Sequence, residues 1–241
     1  MHTTRRRRSH RRRGLPQALG LCGLLTACHD GAPSAPPALP LHSDGQALLT
    51  REGDTQLLRG INARVSGLFD VSFTDGRQPL EPIPDFTSDD ARRARQLGFN
   101  LLRLPLNWSG LEPQPGQYST AYLDRVQEIV DRCRAAGIYV LLDMHQDAFS
   151  KEIGEDGAPL WAIQPPPDKL LGGPLTDLDA RRLSGQVLRA FRGFFEENQQ
   201  NAQERFTAAV QALLRRFATD EAVVGIELFN EPLAEQDALD A

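Results

Sequence analysis

Four strand-type runs recur down the chain with helix-type segments between them, and this alternation is what most limits the fold. The runs are Gly60-Ile61-Asn62-Ala63, Phe99 to Pro105, Ile138 to Asp143 and Val223 to Leu228. The last three are largely apolar along their whole length rather than alternating. That is the pattern of strands buried on both faces of a parallel sheet. Between the runs, Thr87 or Ser88 caps a helix over 89–97, which Gly98 ends. A second helix spans 121–136, with Leu123, Val126, Ile129 and Val130 on one face and Gly137 at its end. Two more are predicted at about 185–198 and 202–218, the latter with Phe206, Val210, Leu213, Leu214 and Phe217 at helical spacing. A β-hairpin with arms 47–50 and 56–59 precedes the first run.

The order β-α-β-α-β-α-β predicts an α/β fold with helices outside a parallel sheet. A doubly wound open sheet and a (β/α)8 barrel both accept that order. No glycine-rich turn follows the first strand, which argues against nucleotide binding. Polar residues stand instead at the C-terminal tips of four successive strands: Asn62, Arg103, His145 and Glu231. Barrel enzymes build active sites from that distribution. The fourth strand runs straight into Asn230-Glu231-Pro232, where proline breaks it and leaves a carboxylate at a rigid tip. The segment 148–183 is long and irregular, a length that usually marks a functional loop.

Charge separates the N-terminus from this domain. Seven arginines, Arg5 to Arg8 and Arg11 to Arg13, fall within the first thirteen residues with no acid among them. Setting them aside leaves 20 basic residues against 32 acidic ones, a net of −12. A domain that acidic is a poor ligand for a phosphate backbone, so no nucleic-acid partner is expected. The arginines lead into a short apolar run, residues 14–25, in the order of an export signal. Leu25-Thr26-Ala27-Cys28 resembles the bacterial lipobox, in which the cysteine carries the lipid; Cys28 is the matching residue. The expected organisation is a lipoprotein signal over 1–27, a Pro- and Ala-rich tether over 28–43, and a domain over 44–241. The expected location is the bacterial cell envelope through an N-terminal lipid anchor, with plain secretion as the alternative. Cys22 would leave with the signal. Cys133 stands alone in a helix, so no disulfide is expected in the mature chain.

The tip motifs resemble a known family. Leu102-Arg103-Leu104-Pro105, Leu142-Asp143-Met144-His145 and Leu228-Phe229-Asn230-Glu231-Pro232 look like the second-, third- and fourth-strand motifs of glycoside hydrolase family 5, whose members are retaining (β/α)8-barrel enzymes. Met144-His145-Gln146-Asp147, the loop Gly157-Ala158-Pro159-Leu160-Trp161 and Trp108-Ser109-Gly110-Leu111-Glu112-Pro113 resemble the endoglycoceramidase-type members, which cleave glycans from lipids. One departure stands out: such members often carry a lysine after the first strand, and Asn62-Ala63-Arg64-Val65 has none.

The resemblance implies roles. Retaining glycosidases need a proton donor and a nucleophile, two carboxyls about 5–5.5 Å apart. Glu231 would be the acid/base, protonating the leaving oxygen and then activating water. Partial burial or a nearby anion in a barrel mouth would suit that task. Asn230 would bond the sugar 2-hydroxyl, Arg103 would orient the nucleophile, and His145 and Asp147 would contact hydroxyls near the cleavage point. Asn62 is a further substrate contact, and Trp161 is either a sugar-stacking platform or a loop-packing residue. A metal site of Asp143, His145 and Asp147 is the rival reading; it lacks a second histidine at ligand spacing, so no metal and no cofactor are assigned.

In the family the nucleophile is a glutamate on the seventh strand. Four strands already occupy the chain to residue 231, so no nucleophile is assigned. The expectation is therefore the N-terminal half of a β-glycoside hydrolase, inactive alone. The alternative is a non-catalytic, surface-anchored carbohydrate-binding lipoprotein.

Overall fold

The computed structural model describes residues 40–233. The signal segment, Cys28 and the tether up to residue 39 lie outside the described residues. The first described element already draws the end of the expected tether into the domain. Strand β1 (Leu41–Ser43) pairs antiparallel with β2 (Leu48–Thr50), Leu41 opposite Thr50. The Asp44 side chain closes the turn between them by accepting from the Gln46 and Ala47 amides at 2.8 Å. The hairpin therefore forms one arm earlier than expected. Around 51–55 only the Leu49–Thr55 bridge survives, because Thr50 and Asp54 close a tight local turn instead.

The main sheet contains β3 (Gly60–Asn62), β4 (Leu101–Leu106), β5 (Tyr139–Met144) and β6 (Val223–Glu227), all parallel and in chain order. Ile61 lies opposite Leu102, and Leu102 opposite Val140. Arg103 faces Leu141, and Asp143 is flanked by Pro105 and Glu227. Six α-helices, α1 (Ser88–Gln96), α2 (Trp108–Leu111), α3 (Thr120–Ala135), α4 (Leu178–Arg182), α5 (Gly185–Phe195) and α6 (Ala202–Phe217), and two short 3-10 turns, Leu160–Ala162 and Gln199–Asn201, complete the described elements. The start of α1 is a capping box between Thr87 and Asp90, and Gly98 follows in the left-handed region at φ 91°. Ser119 caps α3, and Gly137 at φ 71° turns the chain into β5.

Two-residue periodicity divides the strands between two faces. Leu102, Leu104 and Leu106 of β4 and Val140, Leu142 and Met144 of β5 are buried. They belong to one core with Val126, Ile129 and Val130 of α3 and Val210, Leu213 and Phe217 of α6. Cys133 is buried in the same core, and burial pushes its thiol up to about 12, so it packs as a small apolar residue. The alternate positions, among them Leu101, Arg103, Leu141 and Glu227, remain only partly covered. This opposite face carries the charged residues, as the lumen side of a barrel does. The fold class is α/β of the (β/α)8 type.

Candidate active site

Chemistry gathers where the parallel strands end. Arg103 reaches from β4 across β5 to β6. Its Nε donates to Glu227 Oε2 at 2.8 Å and its Nη2 to Glu227 Oε1 at 2.5 Å. The same Nη2 lies 3.0 Å from Asp143 Oδ2 and donates to Asn230 Oδ1 at 2.9 Å. The guanidinium holds the Glu227 carboxyl below its usual range, and Glu227 in turn raises the guanidinium. Asp143 moves the other way: it is fully buried, and burial outweighs the pull of His145 and Arg103.

His145 sits between two carboxylates. Its Nδ1 is 2.7 Å from Asp143 Oδ2 and its Nε2 is 3.3 Å from Asp147 Oδ2. Burial alone would lower the imidazole. The hydrogen bonds to Asp143 and Asp147 outweigh it and push the ring up to about 10. The residue is thus a fixed imidazolium at neutral pH, donating from both nitrogens. Asp147 stays below its usual range despite burial, because His145, Arg182 and Arg64 surround it. Arg182 Nη2 is 3.2 Å from Asp147 Oδ1, and Arg64 Nη2 is 3.8 Å from Asp147 Oδ2.

Asn107 locks this corner to the rest of the domain. Its side-chain oxygen accepts from the Asp70 amide at 2.6 Å, and its NH2 group donates to the His145 carbonyl at 3.1 Å and to Asp156 Oδ2 at 2.5 Å. Its backbone amide donates to the Tyr122 hydroxyl, which itself donates to the Leu68 carbonyl at 2.7 Å. The segment 147–158 then folds tightly beneath. Asp147 and Asp156 bridge, Ala158 donates to the Phe149 carbonyl, and Gly157 adopts φ 124°. A Cβ at Gly157 would meet the Phe149 carbonyl oxygen at 2.5 Å, so glycine is required there.

Six of the residues chosen from the sequence share one open recess of about 250 Å³: Asn62, Arg103, His145, Asp147, Asn230 and Glu231. Arg64, Pro105 and Arg182 complete its wall. β6 ends at Glu227, so Asn230 and Glu231 lie on the turn beyond the strand rather than at its last residue. Asn230 is buried and donates to the Met144 carbonyl, while Gln146 Nε2 holds the Asn230 and Glu231 carbonyls. Glu231 itself is exposed and sits in the left-handed region at φ 37°. The enclosure expected around it is not built by the described residues. Trp161 is not brought to this recess. It packs edge-on against Trp108 at 5.2 Å, donates to the Glu112 carbonyl and lies under Arg205, in a separate depression.

Several residues of the site were not singled out from sequence. Glu227 carries a signal that was available: a charge inside an apolar strand, two residues from Gly225, falls on the same face as Arg103. Gln146 lies inside the Met144-His145-Gln146-Asp147 motif without a role of its own there, and Asp156 and Arg182 carry no signal, because they lie in a loop and a short helix without periodicity. His145, Asp147 and Asp156 place ligand-type atoms within 4.8 Å of one another. Two guanidiniums already bracket Asp147, so the cluster has its counter-charge and no ligand role is assigned to it.

The arrangement offers fixed donors, ionised acceptors and an exposed carboxyl at the ends of parallel strands, a strand-tip site of the kind (β/α)8 hydrolases carry. The chain belongs to glycosyl hydrolase family 5, whose cellulase family model matches residues 69–240. It is 34% identical over 202 residues to endoglycoceramidase I of Rhodococcus hoagii, covering 82% of this chain and 38% of that protein. It is 28% identical to an endoglycoceramidase of Cyanea nozakii, covering 81% and 44%. Among solved structures, an endogalactoceramidase superposes with a TM-score of 0.69 at 32% identity, over 80% of this chain and 44% of that one. Endo-glycoceramidase II from Rhodococcus sp. in complex with ganglioside GM3 gives a TM-score of 0.64 at 33% identity, over 78% and 42%. The chain thus spans about two fifths of the length of these relatives.

Proposed function

We propose that this chain contributes the acid/base half of a retaining β-glycosidase acting on glycolipids. The observation that carries the reading is the shared recess in which Arg103, His145, Asp147, Asn230 and Glu231 meet, in a chain similar to endoglycoceramidases. Glu231 would protonate the glycosidic oxygen and then activate water. Its exposed position leaves room for an aglycone to approach. Asn230, oriented by Arg103, would bond the 2-hydroxyl of the sugar. The His145 imidazolium would donate to a neighbouring hydroxyl, and Asp147 would accept from one. Glu227 has both carboxylate oxygens engaged by Arg103, so it orients that guanidinium rather than attacking carbon. Among the described residues no carboxyl is assigned as the nucleophile of this reading.

The lipid-anchor expectation completes the proposal. An anchor at Cys28 would hold the recess close to a membrane, where glycolipid substrates reside. Among the described residues no helix is long and apolar enough to cross a bilayer.

The experiment is an assay of purified 1–241 on an aryl β-glucoside and on a fluorescent glycosylceramide, alone and with the remaining barrel strands supplied as a second polypeptide. The reading expects no turnover alone and hydrolysis with retained configuration from the pair. It also expects Glu231→Gln to remove most of that activity. Turnover by 1–241 alone would overturn the split of the active site, and an unaffected Glu231→Gln would overturn the acid/base role.

A further inference from the structure

Asp156 is a carboxyl buried near the recess as fully as Asp143, and neither the sequence motifs nor the glycosidase reading gives it work. It is fully buried. Its backbone amide donates to the Asp147 carbonyl at 3.0 Å, and the two residues bridge as a short antiparallel pair. Its Oδ2 accepts from Asn107 Nδ2, the same NH2 group that donates to the His145 carbonyl. Asp156 is thus tied to both residues that flank Gln146, to His145 by its side chain through Asn107 and to Asp147 by its backbone. Its Oδ1 is buried with no hydrogen-bond partner.

An ionised carboxylate would be costly there. Burial, Asp147 and Glu155 all oppose its charge. Two neighbouring carboxyls in a shared low-dielectric corner cannot both ionise freely, and one keeps its proton. The surroundings decide which. Arg64 and Arg182 both lie against Asp147, and His145 bonds to it directly. Asp156 has only the neutral Asn107 as a side-chain hydrogen-bond donor, with the His145 charge acting from a distance. Tyr122 on α3 also faces this corner, and both Asp70 and Asp156 act on its hydroxyl.

We propose that Asp156 is a positioning residue for sugar recognition: a buried, uncharged carboxylic acid that holds His145 and Asp147 in place and leaves Asp147 as the ionised acceptor. This rests on the glycosidase reading only for the identity of the ligand. The division of labour between the two acids is a property of the unliganded chain. It resembles the general device of pushing two nearby carboxyls apart so that each performs one role. Burial and the charges of Asp147 and Glu155 raise the Asp156 carboxyl to about 8. Above that point a second negative charge would appear beside Asp147 and change the field at the His145 imidazolium.

Two measurements on the full chain test this. In the first, 15N-labelled histidine reports the imidazole of His145 between pH 5 and 10, with His145→Gln identifying its signals among the five histidines. The expected wild-type trace shows a step near pH 8 that Asp156→Asn abolishes while leaving the ring doubly protonated. A residue that merely fills space would give no such step. A wild type without the step, or a variant that retains it, overturns the proposal. In the second, a glucose-configured iminosugar is titrated calorimetrically. Asp156→Asn, which mimics the neutral acid, should bind within about threefold of wild type, and Asp156→Leu about tenfold or more weaker. Weakening by Asp156→Asn as large as by Asp156→Leu overturns the uncharged role, and this comparison stands even if Asp156→Leu fails to fold, because a tenfold loss in Asp156→Asn alone suffices. If wild type binds no iminosugar alone, sugar affinity requires the second polypeptide of the pair, and the histidine titration alone decides the role of Asp156.

Discussion

Arg103 and Glu227 form a two-pronged ion pair that spans three strands, from β4 over β5 to β6, with Asp143 beneath it. The pair couples the middle of the sheet to its last described strand. It also settles the Arg103 fork before any substrate arrives. A planar guanidinium matches a carboxylate in a way an ammonium cannot. Arg103→Lys should therefore lose the pair nearly as fully as Arg103→Ala. Each should lower stability by about 1 kcal/mol, since charge-assisted bonds are worth more when buried and this pair is partly solvated. Urea unfolding of both variants checks the size and their near equality.

Tyr122 and Asn107 should matter more, because their bonds are buried. Tyr122→Phe leaves the Asn107 amide and the Leu68 carbonyl without their shared hydroxyl. The expected cost is about 1–3 kcal/mol. Thermal unfolding should show it, with the circular dichroism spectrum unchanged.

Gly157→Ala should be severe. The substitution places a Cβ against the Phe149 carbonyl and against Gln146, at a backbone angle that L side chains rarely adopt. Backbone strain of about 1–3 kcal/mol adds to overpacking of about 1–3 kcal/mol. Gly116, also at positive φ but with open space around it, is the control; Gly116→Ala should cost about 1 kcal/mol. Equal losses at the two positions would contradict the packing account.

Stability should fall as pH rises above neutrality. The sign follows from two groups whose folded values lie above their unfolded ones. Asp156 prefers its proton up to about 8, so its contribution is complete below the ordinary carboxylate range and is lost as pH rises through 8. His145 prefers its proton up to about 10, so its contribution is complete below about 6.5 and is lost towards 10. Asp156→Asn should flatten the melting-temperature profile up to about pH 8, and His145→Gln the part that continues to 10. A wild-type melting temperature that rises from pH 6 to 9 would contradict both assignments.

Much of this architecture is legible in the residue order. Leu101 to Leu106 and Tyr139 to Met144 can be buried only as inner parallel strands, and Thr87, Gly98, Ser119 and Gly137 punctuate the helices through local backbone chemistry that needs no distant partner. The strand-tip residues follow for the same reason: the tip of a strand is where the apolar run stops. The first hairpin was placed one arm late because two short polar turns compete there and only the Asp44 side chain decides between them.

The sequence by itself thus determined the βα order, which polar residues follow the strands, and the family to which those motifs belong. Only the tertiary structure decided which tip touches which. The Arg103–Glu227 pair depends on the register of three strands, and a register is a non-local quantity. The protonation of Asp156 depends on its depth and on Asp147, Glu155 and Asn107 arriving from different segments. The place of Trp161, packed on Trp108 and away from the recess, likewise depends on contacts between distant segments. Charge, burial and partner are set by neighbours in space, and folding is what supplies those neighbours.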